Sequence, residues 1–255
     1  MTRQRWLALF ASFAVATIAP LSATAAEIKV LTAGAMRGII VALAPEFEKQ
    51  TGHTLSIKND TAGGLAKRIG GGVAFEVAVI TPAVVDSLIT QGKIVAGSRI
   101  GLAKVGIGVA VKEGAPAPDI SSTDAFKRAL LAAKSVAYID PKAGGSSGIY
   151  FDKLLERMGI AEQVRPKARL KQGGYVAELV ASGEAELAVH QISEIVPVKG
   201  VTLVGPLPAD VQNFTTYAAG LGTAASDAAA ARALIAHLAS PAAQPVLTAR
   251  GMEKP

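Results

Sequence analysis

The chain contains no cysteine among its 255 residues. This absence excludes disulfides, thiolate zinc sites, iron–sulfur clusters and cysteine nucleophiles. Aromatic residues make up only 5% of the chain and charged residues 18%, whereas half of the residues are apolar. Such a composition excludes a disordered or coiled-coil protein. At roughly 100–200 residues per domain, the length predicts one large domain or two smaller lobes.

Basic clusters are also missing, although the formal net charge is +6. Arg3 and Arg5 account for part of this charge and lie in a segment that we expect to be removed. The remaining positive residues are spread thinly, without basic runs or interleaved aromatic residues. Nucleic acid is therefore not an expected partner.

The first 25 residues have the pattern of a secretory signal peptide. Arg3 and Arg5 precede an apolar run over 6–21, and Ala23-Thr24-Ala25 forms a small-residue cleavage site. The run is shorter than the ~20 residues that span a bilayer, so an uncleaved membrane anchor is the weaker alternative. No cysteine follows the cleavage site, which excludes a lipoprotein anchor. The pattern predicts a protein exported to the periplasm.

Strand, loop and helix patterns alternate along the rest of the chain, which indicates an α/β fold with parallel strands. Predicted strands cover 26–33, 55–58, 77–80, 105–112, 135–139, 185–190, 200–203 and 214–221. Predicted helices between and after them include ones that begin near Met36, at Leu65, at Ile149 and at Ala224. Their order suggests two lobes, the first built from 26–103 and 220–255 and the second from 104–219. The two predicted crossings between the lobes, near 104–110 and 214–221, would form a hinge.

Three loops rich in small residues follow predicted strands, at 32–37, 59–64 and 142–148. Ligands of open α/β sheets bind at the carboxyl ends of strands, where helix N-termini attract anions. A single such loop could equally be a plain turn, but three together predict a pocket for a small anion. The candidate ligand-binding residues are Gly34, Ala35, Met36, Arg37, Thr61, Ala62, Gly63, Ser146 and Ser147. No nucleotide-binding fingerprint is present in these loops.

Arg37 could bind a carboxylate through two hydrogen bonds, or could simply face solvent. His190 ends a predicted strand at the same sheet edge as the three loops, where it could contact the ligand or serve only a structural bond. No further histidine or carboxylate cluster has metal-ligand spacing, so we expect neither a metal nor a cofactor. Gly-x-Ser-x-Gly is absent, which excludes the α/β-hydrolase nucleophile elbow.

Three motifs together resemble the molybdate-type periplasmic solute-binding proteins. They are Thr32-Ala33-Gly34-Ala35-Met36, Gly64-Leu65-Ala66-Lys67-Arg68-Ile69, and Asp140-Pro141 leading to Ser147-Gly148-Ile149-Tyr150. The resemblance covers essentially the whole chain after the leader. It implies a two-lobe type II periplasmic-binding-protein fold with a double crossover hinge, an oxyanion held between the lobes, and a monomer that serves an ABC importer permease.

The resemblance also implies which ligand donors are missing. Members that hold molybdate or tungstate use serine hydroxyls from the first two loops and a tyrosine from a later strand. The matching positions here are Ala35, one of Thr61, Ala62 and Gly63, and His190. Each lost hydrogen bond to a charged group costs about 1.5–3 kcal/mol. We therefore expect an organic carboxylate rather than molybdate or tungstate, which remain a further alternative.

Aconitate-isomerase-like relatives share this resemblance and suggest an enzymatic alternative. They interconvert cis- and trans-aconitate by an allylic proton shift, which needs an acid–base group and an anion cradle but no cofactor. Histidine is the side chain best suited to such proton transfer near neutral pH. The resemblance therefore implies His190 as the catalytic acid–base residue if the protein is an isomerase.

Overall fold

A computed structural model describes residues 25–255. Apart from Ala25, the predicted signal peptide lies outside the described residues. Within 25–255, no helix combines the length and apolar character that crossing a membrane requires.

The described chain folds into ten strands and ten α-helices, joined by short 3-10 turns. The strands are β1 (Glu27–Ala33), β2 (Thr54–Asp60), β3 (Val77–Ile80), β4 (Ile100–Lys112), β5 (Val136–Ile139), β6 (Ala168–Lys171), β7 (Leu187–Gln191), β8 (Val201–Pro206), β9 (Phe214–Leu221) and β10 (Met252–Glu253). The helices are α1 (Gly34–Thr51), α2 (Ala62–Gly70), α3 (Pro82–Thr90), α4 (Thr123–Ala132), α5 (Ser146–Arg157), α6 (Ala161–Val164), α7 (Ala177–Ala181), α8 (Ile192–Ile195), α9 (Ala228–Ala239) and α10 (Ala243–Thr248).

The strands form two sheet regions that share β4. In the first region the order is β2-β1-β3-β9-β4, and β10 pairs with the start of β4. In the second region β4 pairs with β7 and β8, and β7 continues to β5 and β6. Residues 100–106 of β4 pair with β9, whereas residues 107–112 pair with β7 and β8. Strand β4 is therefore one of the connections between the two regions.

Parallel pairing is confined to the outer strands of each region. Strand β1 runs parallel to β2 and β3, and β5 runs parallel to β6 and β7. The long strands β4 and β9 pair antiparallel with each other and with their neighbours. The expected α/β fold is confirmed, with the correction that the sheet is mixed, because the long strands return in the opposite direction.

Each sheet region has its own apolar core. One buried cluster draws on residues 28–105 and 217–252, around side chains such as Phe47 and Leu65. Two further clusters draw on residues 107–207, around Phe126, Phe151 and Val176. The boundaries that the sequence suggested for the two lobes, after 103 and before 220, stay a prediction.

Several helices begin at positions other than those expected from the sequence, among them α2, which begins at Ala62 rather than at Leu65. Helix α1 begins at Gly34 rather than near Met36, and α5 begins at Ser146 rather than at Ile149. Helix α9 begins later than expected, because the Asp227 carboxylate accepts the Ala230 N–H at 2.9 Å and caps the helix. The earlier starts of α1 and α5 place small residues in the first helical turn, beside the sheet edge.

Candidate functional site

A cleft of about 400 Å³, including its part open to solvent, lies where α1, α2 and α5 begin. Seven of the candidate residues line it: Gly34, Ala35, Thr61, Ala62, Ser146, Ser147 and His190. The parallel strands β1, β2 and β5 end at this cleft, and each leads into a helix N-terminus. The structure therefore brings the three loops to one place.

Three candidate residues do not line the cleft. Met36 is buried in the apolar core, and Arg37 is exposed. Because α1 begins at Gly34, Arg37 is already the fourth residue of the helix, and its side chain follows the solvent face. Gly63 contacts the third loop instead, with its N–H donating to the Gly144 carbonyl at 3.1 Å.

The second and third loops contact each other directly. Besides the Gly63–Gly144 bond, the Thr61 hydroxyl donates to the Ala143 carbonyl. A methyl group on Gly63 would lie only 2.9 Å from the Gly144 Cα, so the two glycines permit this close approach. Backbone and hydroxyl contacts thus close one end of the cleft.

The N-terminus of α5 supplies unpaired backbone donors to the cleft. No side chain caps this helix, which begins with Ser146, Ser147 and Gly148. The first N–H groups of a helix have no partner within it and carry a partial positive charge. Helix α1, which begins at Gly34, also lacks a side-chain cap. Both helix ends can therefore hold an anionic group.

His190 is almost fully buried, with 3% exposure, and both of its ring nitrogens have partners. Nδ1 lies 3.0 Å from the Ser147 Oγ. Nε2 lies 3.4 Å from the Gly174 carbonyl and 3.4 Å from the Glu194 Oε2. Because both neighbours of Nε2 are acceptors, a neutral ring carries its proton there, and Nδ1 accepts from the Ser147 hydroxyl. The ring is thus held in one tautomer with a basic nitrogen beside Ser147.

Glu194 is a cleft residue that the sequence reasoning did not select. Its side chain is only 8% exposed, and it lies four residues beyond His190, across the junction of β7 and α8. A methyl group placed on Gly34 would overlap the Glu194 Oε1, so the carboxylate packs against the start of α1. The four-residue spacing between a histidine and a glutamate is the only signal that the sequence held for this contact.

Tyr217 and Gln191 form a second polar pair in the cleft. The Tyr217 hydroxyl donates to the Gln191 Oε1 at 2.7 Å. Burial, and secondly the negative charge of Glu194, raise the pKa of Tyr217 above its ordinary value. The phenol therefore stays protonated and serves as a hydrogen-bond donor.

The lining of the cleft contains two carboxylates, Asp60 and Glu194, and no lysine or arginine. Asp60 accepts the Thr61 N–H at 2.7 Å and pairs with Arg68 at 3.5 Å, so its charge is already compensated. Among residues 25–255, no group of three or more histidine, aspartate or glutamate side chains is placed to hold a metal ion. Positive potential in the cleft thus comes from the helix N-termini.

A family model described as bacterial extracellular solute-binding protein matches residues 28–253. An aconitate isomerase from Pseudomonas sp. is 35% identical over 230 residues, which cover 88% of this chain and 86% of that protein. The molybdate-binding protein ModA from Azotobacter vinelandii is 29% identical over 243 residues, covering 90% of this chain and 91% of ModA.

Solved structures show the same architecture. The periplasmic molybdate-binding protein of Azotobacter vinelandii superposes with a TM-score of 0.76 at 22% identity, over 89% of this chain and 99% of that protein. The sulfate-binding protein SubI from Mycobacterium tuberculosis H37Rv superposes with a TM-score of 0.71 at 14% identity, over 90% of this chain and 87% of SubI. With the fold, the cleft and the family match in agreement, the chain belongs to the bacterial extracellular solute-binding proteins and has their type II periplasmic-binding-protein fold.

Proposed function

We propose that this protein is a cofactor-independent isomerase of the aconitate isomerase type, acting on a small unsaturated polycarboxylate. The observation that carries the proposal is the buried set Ser147–His190–Glu194 at the wall of an anion-binding cleft. A protein that only captures an anion needs donors, whereas this set also holds a histidine in a defined tautomer. The 35% identity to an aconitate isomerase supports the same reading.

The residues suit an allylic proton shift. Carboxylate groups of the substrate bind at the N-termini of α1 and α5, and the Ser147 hydroxyl turns from the His190 Nδ1 to one of them, which frees Nδ1 to act as the base. His190 removes a proton from the methylene carbon, and the electron pair of that C–H bond spreads over the allylic carbons beside a carboxylate. The double bond moves by one position, and the imidazolium returns the proton to the far carbon. This proton shift requires no oxidant, reductant or cofactor.

Turnover of trans-aconitate, followed by its ultraviolet absorbance, tests this proposal. We expect His190→Asn to lower kcat by about 10²–10⁴-fold, because one acid–base group contributes that much, while binding persists. His237→Asn is the matched control, since His237 lies on α9 and does not line the cleft. Circular dichroism of both variants checks folding. Full turnover by His190→Asn would contradict the assignment.

The second candidate is capture of a small organic anion for an ABC importer. The contacts of Thr61 and Gly63 with the third loop favour it, because they close the cleft as a binding protein does around its solute. In this case trans-aconitate or another carboxylate binds in a one-to-one ratio and is not consumed. The partner would be the permease of the importer, and the protein would act as a monomer. Molybdate or tungstate binding in the same titration would instead support the oxyanion alternative.

We propose that the protein acts in the periplasm under either function. The positive start, apolar run and Ala23-Thr24-Ala25 site at the N-terminus support export with cleavage near residue 25. The match to extracellular solute-binding proteins supports the same location. N-terminal sequencing of the protein recovered from a periplasmic extract is the measurement that checks it.

A further inference from the structure

Glu194 occupies the part of the cleft where an anion would meet helix α1. Its Oε1 packs against Gly34, the first residue of that helix, and its Oε2 lies 3.4 Å from the His190 Nε2. A carboxylate ligand entering this cleft therefore comes close to a second carboxylate that is only 8% exposed. Two negative charges within a few ångströms of each other in a dry site repel strongly.

The surroundings of Glu194 offer one titratable cation. Helix α8 packs against α1, β4, β7 and β8. Strand β7 contributes His190, and β8 carries no titratable residue. On β4, Lys104 pairs with Glu253 at 3.4 Å, while Lys112 lies at the exposed far end of the strand. On α1, Arg37 is exposed and lies outside the cleft. The Arg250 guanidinium lies against Gly38, one helical turn from the Gly34 that Glu194 contacts, where it adds a fixed positive charge that does not titrate. Tyr217 and Asp60 complete the titratable groups of the lining.

We propose that a carboxylate ligand enters this cleft together with one proton, which resides on Glu194. This inference rests on the proposed carboxylate ligand, but it holds for an isomerase and for a solute-binding protein alike. When Glu194 is neutral, the repulsion disappears, and its O–H can donate to the ligand carboxylate. The competing site for this proton is the His190 Nδ1, but Nδ1 faces Ser147 rather than Glu194, so a proton there would leave the Glu194 carboxylate against the ligand. Glu194 is thereby a ligand-contacting residue that offers the bound carboxylate a hydrogen bond.

Isothermal titration of the wild-type protein with trans-aconitate, citrate and tricarballylate tests the inference. Each titration is repeated in buffers of low and high ionisation enthalpy, because the difference in heat counts the protons taken up. We expect about one proton per ligand near pH 8, and a Kd that rises about tenfold for each pH unit, as linkage requires. A difference infrared band of a protonated carboxyl group should appear on binding.

Two variants assign the proton to its residue. Glu194→Gln keeps the shape and donates permanently, so we expect proton uptake and the infrared band to vanish and the Kd near pH 8 to fall about tenfold or more. Asp60→Asn is the matched carboxylate of the same cleft. It should keep the wild-type proton count, because Asp60 already pairs with Arg68.

The outcomes separate the two proposals. Binding of a carboxylate without proton uptake, or uptake that persists in Glu194→Gln, overturns the inference and leaves the proposed carboxylate ligand standing. Absence of binding by all three carboxylates overturns both. If Glu194→Gln does not fold, the infrared measurement on the wild-type protein still tests the inference, because absence of the protonated-carboxyl band on binding overturns it.

Discussion

Helices α2 and α5 begin at the same cleft, but their N-termini are capped differently. In α2 the Thr61 Oγ1 accepts the Gly64 N–H at 3.0 Å, and the Asp60 carboxylate accepts the Thr61 N–H. In α5 no side chain caps the first N–H groups, and the Ser147 hydroxyl contacts His190 instead. Side chains of the protein thus bond N–H groups at the start of α2, whereas those at the start of α5 stay available to a ligand.

This difference suggests that the start of α2 contributes mainly to the stability of the fold and the start of α5 mainly to ligand binding. A capped helix end stabilises the fold, whereas an uncapped one keeps its donors available to an anion. The three similar Gly-rich loops are therefore unequal: we expect the loop before α5 to dominate affinity, and the loop before α2 to dominate local stability and closure.

The largest expected effect compares the third helical residues, Gly148 in α5 and Gly64 in α2. A methyl group on Gly148 would overlap the Ile139 carbonyl, which is backbone and cannot rotate away. On Gly64 its nearest neighbours would be atoms of the Asp60 carboxylate, a side chain that can rotate, although at the cost of its bond to the Thr61 N–H. We expect Gly148→Ala to lower the free energy of unfolding by about 1–3 kcal/mol or more. Gly64→Ala should change it by less than about 1 kcal/mol, because alanine favours the helix. Urea denaturation measures both, and equal losses would contradict the comparison.

The next effect contrasts the two hydroxyls. Ser147→Ala removes a donor beside the uncapped helix and the partner of the His190 Nδ1, so we expect the Kd for trans-aconitate to rise about 10- to 100-fold. Thr61→Ala removes the cap of α2 and should lower the free energy of unfolding by about 1 kcal/mol, with a smaller change in Kd. Calorimetric titration and thermal unfolding of both variants check this. A reversed pattern would show that α2 carries the ligand.

The smallest effects concern the ion pair that each helix makes. Asp152 on α5 accepts two hydrogen bonds from Arg165, at 2.9 and 2.7 Å, whereas Asp60 pairs with Arg68 on α2 at 3.5 Å. Hydrogen bonding from Arg165 holds the pKa of Asp152 below its ordinary value. Its contribution to stability is therefore present above the unfolded-state pKa of about 3.9 and is lost as the pH falls through the lower folded-state value.

We accordingly expect Asp152→Asn to be less stable than wild type at neutral pH and to approach it in acid. Arg68→Met should change the free energy of unfolding by no more than about 0.5 kcal/mol at any pH. Thermal unfolding from neutral to acidic pH measures both differences. If Asp152→Asn instead loses the same free energy of unfolding at every pH, then packing rather than charge accounts for the contribution of the Asp152–Arg165 pair.

The fold class could be predicted because strand and helix patterns alternate regularly, and parallel strands fix which loops share an edge. The placement of Arg37 could not, since one or two residues of uncertainty in the start of α1 turn a side chain from the cleft to solvent. Glu194 escaped prediction for another reason. Its contact with Gly34 joins residues 160 positions apart, and no local pattern encodes it. Strands β6 and β10 were both missed, because elements of four and two residues are too short to establish a period.

The contact between Gly63 and Gly144 consists of main chain alone. Replacements of cleft side chains other than Thr61 can therefore alter which guest is preferred without disturbing how the walls meet. Recognition and closure thus depend on different atoms of this scaffold, so exchanging a few side chains can change the solute, or add a reaction, while the walls still meet.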